Sequence, residues 1–93
     1  MGTMTELRAC VHGRVQFVMF RDFTQRTARR LGIKGFVRNR DDGTVEVVAH
    51  GEKSALEKLL EALHRGSLLS RVDSVESEWR VPEKKYVDFD IVC

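Results

Sequence analysis

The segment from Gly13 to Arg21, with the sequence GRVQFVMFR, carries the residues whose types and spacing best fit a chemical role. It lies between a stretch of alternating apolar residues and a stretch with helical spacing. A loop that enters a helix presents backbone N–H groups without intrahelical partners, and the helix dipole adds positive potential. Arg21 adds a planar fork of donors that matches two phosphate oxygens. The segment suits a phosphate, although an arginine at a helix start is more commonly just solvated.

The elements that must position this segment follow from the periodicity of the apolar residues. Alternation with period two predicts strands, and recurrence at three and four residues predicts helices. Glycines and the turn sequence Asp41-Asp42-Gly43 separate the elements. The pattern predicts a strand over 7–12, a helix over 21–31, strands over 33–40 and 44–50, a helix over 52–65, and strands over 75–81 and 87–91.

This order is βαββαβ with one further strand, which is typical of an α+β fold of the ferredoxin-like, split-βαβ kind. We expect an antiparallel sheet with two helices on one face and an extra C-terminal strand. The chain is expected to form one domain over residues 1–93, with residues 1–4 disordered or left over from cloning. The fold alone does not identify a function, because enzymes, metal carriers, regulatory modules and RNA binders share it.

Composition excludes several classes of protein. The chain has 93 residues, of which 42% are apolar, so one core is feasible. It has no apolar run of about 18 residues, the minimum for a membrane helix, and no signal-peptide pattern at its start. Sixteen basic and 14 acidic residues give a net charge of +2, which does not indicate nucleic acid. Cys10 and Cys93 do not suggest a disulfide scaffold, and a cytoplasmic location is expected.

Two separated segments have specific patterns. The first is Gly13-Arg14-Val15-Gln16-x-Val18-x-Phe20-Arg21, and the second is Gly35-Phe36-Val37-Arg38-Asn39 with the turn at 41–43 and Val45. Together they resemble the signatures of the acylphosphatases. The similarity extends from about residue 7 to residue 91, with every predicted element in order. Two motifs in the expected structural context are a specific signal.

The resemblance implies hydrolysis of the carboxyl-phosphate bond of acyl phosphates to a carboxylate and phosphate. It assigns Arg21 to phosphate binding and Asn39 to the attacking water. It also assigns phosphate binding to the backbone amides of Gln16, Phe17, Val18, Met19 and Phe20. A small-molecule acyl phosphate is the implied substrate, with inorganic phosphate as product and inhibitor. Neither a metal nor another cofactor, a nucleic acid nor a membrane is expected to take part, and the protein is expected to be a monomer.

One position departs from the family pattern, because Phe17 stands where relatives most often have glycine. A glycine in such a loop can supply a positive φ or a close approach of the backbone to phosphate. We therefore expect either that the φ of Phe17 is negative or that the loop tolerates a strained residue there. Phe36, where many relatives have tryptophan, is expected to be a packing residue.

Three other functions share the predicted fold. A regulatory module of the ACT type would bind a small ligand at a dimer interface, but it leaves Arg21 and Asn39 unexplained. An RNA-binding module would expose aromatic residues on its central strands, and the strand over 44–50 has none. A metal carrier would have a cysteine pair in its first loop, which is absent. The three histidines, at positions 12, 50 and 64, do not have the spacing of metal ligands in the sequence.

Overall fold

The structure is a computed structural model that describes residues 3–92. Its elements are β1 (Met4–Arg14), α1 (Phe20–Arg30), β2 (Lys34–Asn39), β3 (Val45–Glu52), α2 (Lys53–Arg65), β4 (Arg71–Arg80) and β5 (Phe89–Val92). The expectation that residues 1–4 are disordered or left over from cloning lies outside the described residues for positions 1 and 2. For Met4 the expectation of disorder is wrong, because this residue begins β1.

The five strands form one sheet in the order β4-β1-β3-β2-β5. The ferredoxin-like α+β fold is confirmed, and β1, β2, β3 and β4 pair in antiparallel fashion. The expectation of an antiparallel sheet needs one correction, because β5 pairs in parallel with β2. The pairing register explains why β5 runs parallel to β2. Arg80 at the end of β4 pairs with Glu6, Glu6 pairs with His50, and His50 pairs with Lys34 at the start of β2. A chain that crosses the sheet at this end enters beside β2 in the same direction.

The last two strands begin at different residues from those predicted. β4 starts at Arg71 rather than 75, because its first residues continue to pair with β1 beyond an irregularity at Gly13. β5 starts at Phe89 rather than 87. Val81 and Val87 are both more than four-fifths exposed, so their apolar character does not place them in the core.

The core lies between the helices and one face of the sheet. The alternating residues Leu7, Ala9 and Val11 of β1 are buried there, as their period of two predicts. From α2, Leu56, Leu59 and Leu63 are fully buried against the sheet, and Leu60 packs at the edge of this core. Among residues 3–92, no helix is long and apolar enough to cross a membrane.

Polar contacts fix α1 against β5. Arg29 donates two hydrogen bonds to the carboxylate of Asp88, at 3.2 and 3.1 Å. Gln25 Nε2 donates to the backbone oxygen of Phe89 at 3.0 Å. Phe20, the first residue of α1, is buried and packs against Phe23. The start of α1 is therefore held in place by both its core contacts and the position of β5.

The helix-free face of the sheet contains a buried polar pair, Glu6 and His50. Both residues are less than 5% exposed, and His50 Nε2 lies 2.7 Å from Glu6 Oε1. Arg8 also donates to Glu6, and the Tyr86 ring covers His50 edge-on. Burial acts to raise the pKa of Glu6, but the hydrogen bonds from Arg8 and His50 outweigh it, so the pKa lies below its ordinary value.

This lowered pKa predicts how stability depends on pH. A carboxyl group whose pKa is depressed by folding adds stability above its unfolded pKa, about 4.5, and that stability is lost as the pH falls through the folded value. Glu6→Gln should lower the free energy of unfolding by about 1–3 kcal/mol at pH 7, and the difference should shrink as the pH falls below the unfolded pKa of 4.5. Denaturant unfolding from pH 3 to 7 measures it. Glu78→Gln, at an exposed position on the same face, is the control. A difference that is constant over this pH range would contradict the prediction.

Candidate functional site

The backbone of residues 16–20 alternates in the sign of φ. Phe17 has φ 62° and Met19 has φ 60°, and they are the only non-glycine residues with positive φ among residues 3–92. Gln16, Val18 and Phe20 have negative values. Such alternation turns successive N–H groups toward one side and forms a concave anion-binding nest. Within the described chain, no N–H group of residues 16–20 donates a hydrogen bond to a protein acceptor. The loop thus offers five free donors.

Buried residues hold the loop at both ends. Val15 and Phe20 are each 1% exposed, so the core fixes both ends of the four-residue span between them. The Gln16 side chain adds a third attachment, because its Nε2 donates to the backbone oxygens of Arg40 at 2.7 Å and Thr44 at 2.9 Å. The sequence predicted only a backbone role for Gln16. Its anchoring role could not be predicted, because both acceptors are backbone oxygens of a distant turn.

Phe17 occupies the strained conformation that a glycine would adopt freely. Its side chain is 94% exposed, and that of Met19 is 70% exposed. Neither side chain gains packing that could offset a left-handed backbone, which costs about 1–2 kcal/mol per residue. Of the two expected alternatives for Phe17, the strained one is therefore observed. The side chain points into solvent and leaves the nest unobstructed.

Arg21 follows the loop at the start of α1 and lines a cleft of about 330 Å³. The cleft is formed by Val15, Phe17, Met19, Phe20, Arg21, Asp22 and Ile91. Asp22 pairs with Arg26 at 3.0 Å. No ion pair among residues 3–92 includes Arg21, so its guanidinium is available to an anion beside the nest.

Asn39 ends β2 on the core side of the sheet. It pairs with Val45 and alternates with Phe36 and Arg38, so it shares a face with the buried Val37, as its position in the strand predicts. Its Oδ1 atom is buried and has no hydrogen-bond partner within residues 3–92. An unpaired buried acceptor costs about 1–3 kcal/mol, and native proteins retain such atoms mainly where water or a ligand uses them.

The structure brings together most of the predicted site residues. Three loop residues share one cleft with Arg21, namely Phe17, Met19 and Phe20. Gln16, Val18 and Asn39 do not line it. Gln16 links the two parts, because it binds the backbone of Arg40, the residue after Asn39. Ile91, which the sequence did not indicate as a site residue, reaches the cleft because β5 pairs with β2. Phe36 packs against Tyr86, in agreement with its predicted packing role.

One group of side chains on the helix-free face has donors that suit a metal ion. Cys10, His12 and Glu76 each offer a ligand atom, and these atoms lie within 4.8 Å of one another. His12 Nε2 already lies 2.6 Å from Glu76 Oε1. The sequence spacing indicated no such group, because it arises from the pairing of Cys10 with Glu76 across β1 and β4. None of the three lines the cleft that contains Arg21.

Comparison with known proteins finds similarity over most of the chain. The family model for acylphosphatase matches residues 7–91. An acylphosphatase of Salinibacter ruber is 49% identical over 78 residues, which cover 84% of this chain and 82% of that protein. An acylphosphatase of Thermus thermophilus is 50% identical over 76 residues, which cover 82% and 86%. The crystal structure of acylphosphatase from Bacillus subtilis superposes with a TM-score of 0.92 at 38% identity and covers 96% of this chain and 99% of that chain.

The strain at Phe17 predicts an unusual response to mutation. Phe17→Gly should leave the free energy of unfolding unchanged or raise it by about 1 kcal/mol, because relief of the left-handed strain outweighs the added freedom of the unfolded chain, about 0.5–1 kcal/mol. Gly35→Ala is a control for which the opposite result, a loss of stability, is expected. Gly35 has φ 140°, and a Cβ there would lie 1.9 Å from the Val48 backbone oxygen.

Urea unfolding at pH 7 measures both variants, and Gly35→Ala should lose at least about 2 kcal/mol. A loss of more than about 1 kcal/mol in Phe17→Gly would show that the Phe17 side chain stabilises the fold, and the account of strain would be wrong.

Proposed function

Since this chain belongs to the acylphosphatase family and is a hydrolase of acyl phosphates, we propose that residues 16–20 and Arg21 bind the phosphoryl group and that Asn39 orients the attacking water. The observation that carries the proposal is the alternating loop backbone, whose five N–H groups have no acceptor in the described protein. The regulatory-module alternative gives no role to this loop or to Arg21.

The loop provides the part of the site that complements charge. Five N–H groups at a helix N-terminus favour an anion through hydrogen bonding and through the helix dipole. Arg21 adds a fixed positive charge and a bidentate geometry at the same cleft. Because the loop is anchored by buried Val15 and Phe20, its donors need no rearrangement when charge develops on the phosphoryl oxygens. Preorganised donors of this kind are a major source of catalysis.

Asn39 provides a neutral acceptor for water. A water molecule that donates to Asn39 Oδ1 would satisfy this buried atom, which lacks a protein partner within residues 3–92. The amide cannot change its charge, so it positions the water without acting as a base. Attack of the water oxygen on phosphorus breaks the bond between phosphorus and the acyl oxygen, and the carboxylate departs with the bonding electrons. The proton from water ends on phosphate or solvent.

The chemistry needs little more than position and charge. A carboxylate is a good leaving group, so a general acid is not required, and phosphoryl transfer is accelerated mainly by alignment and electrostatic stabilisation. We therefore propose catalysis without a metal or an organic cofactor, with inorganic phosphate as a competitive inhibitor.

A monomer suffices, because one chain supplies every residue of the site. The free thiol of Cys10 is in keeping with a reducing, cytoplasmic environment.

Arg21→Ala should lower kcat/KM by at least about 10²–10³, the loss typical of a charge-stabilising donor, and should raise the inhibition constant of phosphate. Arg21→Lys should also be impaired, because an ammonium group cannot reproduce the fork of donors. Phe17→Gly should have a far smaller effect on the rate than Arg21→Ala. The rate of benzoyl phosphate hydrolysis at pH 7 measures these effects. Arg30→Ala, an exposed arginine at the end of the same helix, is the control. Near-normal turnover in Arg21→Ala would refute the assigned role.

Asn39→Ala should abolish turnover yet leave the inhibition constant or calorimetric affinity of phosphate nearly unchanged, because its proposed partner is water and not the anion. Ser67→Ala removes the other buried side-chain atom that lacks a partner in residues 3–92, and it should keep full activity. Equal losses of turnover and phosphate affinity in Asn39→Ala would assign Asn39 to the fold or to anion binding.

A further inference from the structure

We propose that Phe17, Met19 and Ile91 form a binding site for the acyl group, so that the enzyme prefers acyl phosphates with aromatic or extended apolar acyl chains. This inference rests on the proposed function, because the phosphoryl group must occupy the loop for these side chains to face the acyl group. It concerns side chains that have no part in the phosphate nest, which is made of backbone groups.

The exposure of these side chains is the first observation. Phe17 is 94% exposed, Met19 is 70% exposed and Ile91 is 38% exposed. All three line the cleft that also contains Arg21. A cleft lined mainly by apolar side chains with one or two fixed polar groups is the usual composition of a small-molecule site. The cleft therefore combines an anion-binding end with an apolar wall.

The in-line geometry of phosphoryl transfer directs the acyl group toward the apolar wall of the cleft. In phosphoryl transfer the attacking and leaving oxygens lie roughly in line through phosphorus. Asn39, proposed to hold the water, does not line the cleft, whereas the apolar side chains do. With the water on the Asn39 side of the phosphoryl group, the leaving carboxylate and its acyl chain project into the cleft. Phe17 and Met19 belong to the loop itself, so their side chains begin within a few bonds of the nest.

The charges at the cleft favour a neutral acyl group. Arg21 is the only cation among the residues that line it, and the phosphoryl group would occupy that guanidinium. The other charged residue is Asp22, whose carboxylate pairs with Arg26 at the surface. An acyl group with a second carboxylate would find no cation and would face Asp22. Acyl phosphates of dicarboxylic acids are therefore expected to be poor substrates.

The test compares substrates within each variant. Values of kcat/KM are measured for acetyl, benzoyl and succinyl phosphate with the parent protein and with Phe17→Ala, Met19→Ala and Ile91→Ala. The quantity of interest is the ratio of kcat/KM for benzoyl phosphate to that for acetyl phosphate, because a disturbance of the loop or of stability acts on both substrates. Leu68→Ala, which truncates a 97% exposed apolar residue far from the site in sequence, is the control. Phe17→Leu tests whether apolar area alone is sufficient.

We expect the ratio to fall by about tenfold in Phe17→Ala, less in Met19→Ala and Ile91→Ala, and not at all in Leu68→Ala. Phe17→Leu should restore much of the ratio, and succinyl phosphate should be the poorest of the three substrates in the parent protein. If the ratio stays within twofold in all three alanine variants while hydrolysis and phosphate inhibition persist, the acyl site is refuted and the phosphate site stands. If the parent protein neither hydrolyses these compounds nor binds phosphate, the proposed function fails instead.

Discussion

The structure depends on one constraint, which is that the four residues between two buried anchors must keep an alternating backbone. Val15 and Phe20 are fixed by the core, and the span between them includes two residues, Phe17 and Met19, in a conformation that disfavours L-amino acids. The strain persists because neither anchor can move without opening the core. Because the backbone alternates, the N–H groups of residues 16–20 face one side. Within residues 3–92, no protein group accepts a hydrogen bond from them.

The rest of the fold supports these anchors. At Gly13 the pairing of β1 with β4 shifts register, and a Cβ there would lie 2.1 Å from the Arg71 backbone oxygen, so glycine allows β1 to turn into the loop. Gln16 ties the loop to the β2–β3 turn. Gln25 and Arg29 of α1 form hydrogen bonds with β5 and with the residue before it. The parallel pairing of β5 also brings Ile91 to the cleft. The C-terminal strand thus contributes both to the placement of Arg21 and to the composition of the site.

The sequence predicted most of the fold, because alternation in β1 and the leucine stripe of α2 report directly which face is buried. It did not predict the parallel direction of β5, since periodicity contains no information on strand pairing across a long connection. The two motifs that contain Arg21 and Asn39 located the candidate site. The positive φ of Phe17 and Met19 could not be predicted, because these residue types normally favour other conformations. Gln16, Ile91 and the group formed by Cys10, His12 and Glu76 depend on contacts between distant segments, which one-dimensional spacing does not reveal.

Residues 16–20 and Asn39 combine two features that lower stability. Two strained residues cost about 1–2 kcal/mol each, and the unpaired Oδ1 of Asn39 costs about 1–3 kcal/mol. The exposed side chains of Phe17 and Met19 contribute no burial that could offset these costs. These costs are a substantial fraction of the 5–15 kcal/mol by which a domain is typically stable. In the proposed site, a bound acyl phosphate would offset these costs, because its oxygens would accept from the loop and its attacking water would donate to Asn39. Its acyl group would also cover the exposed apolar side chains. On this proposal, the residues that lower the stability of the free protein are those that gain most when the substrate binds.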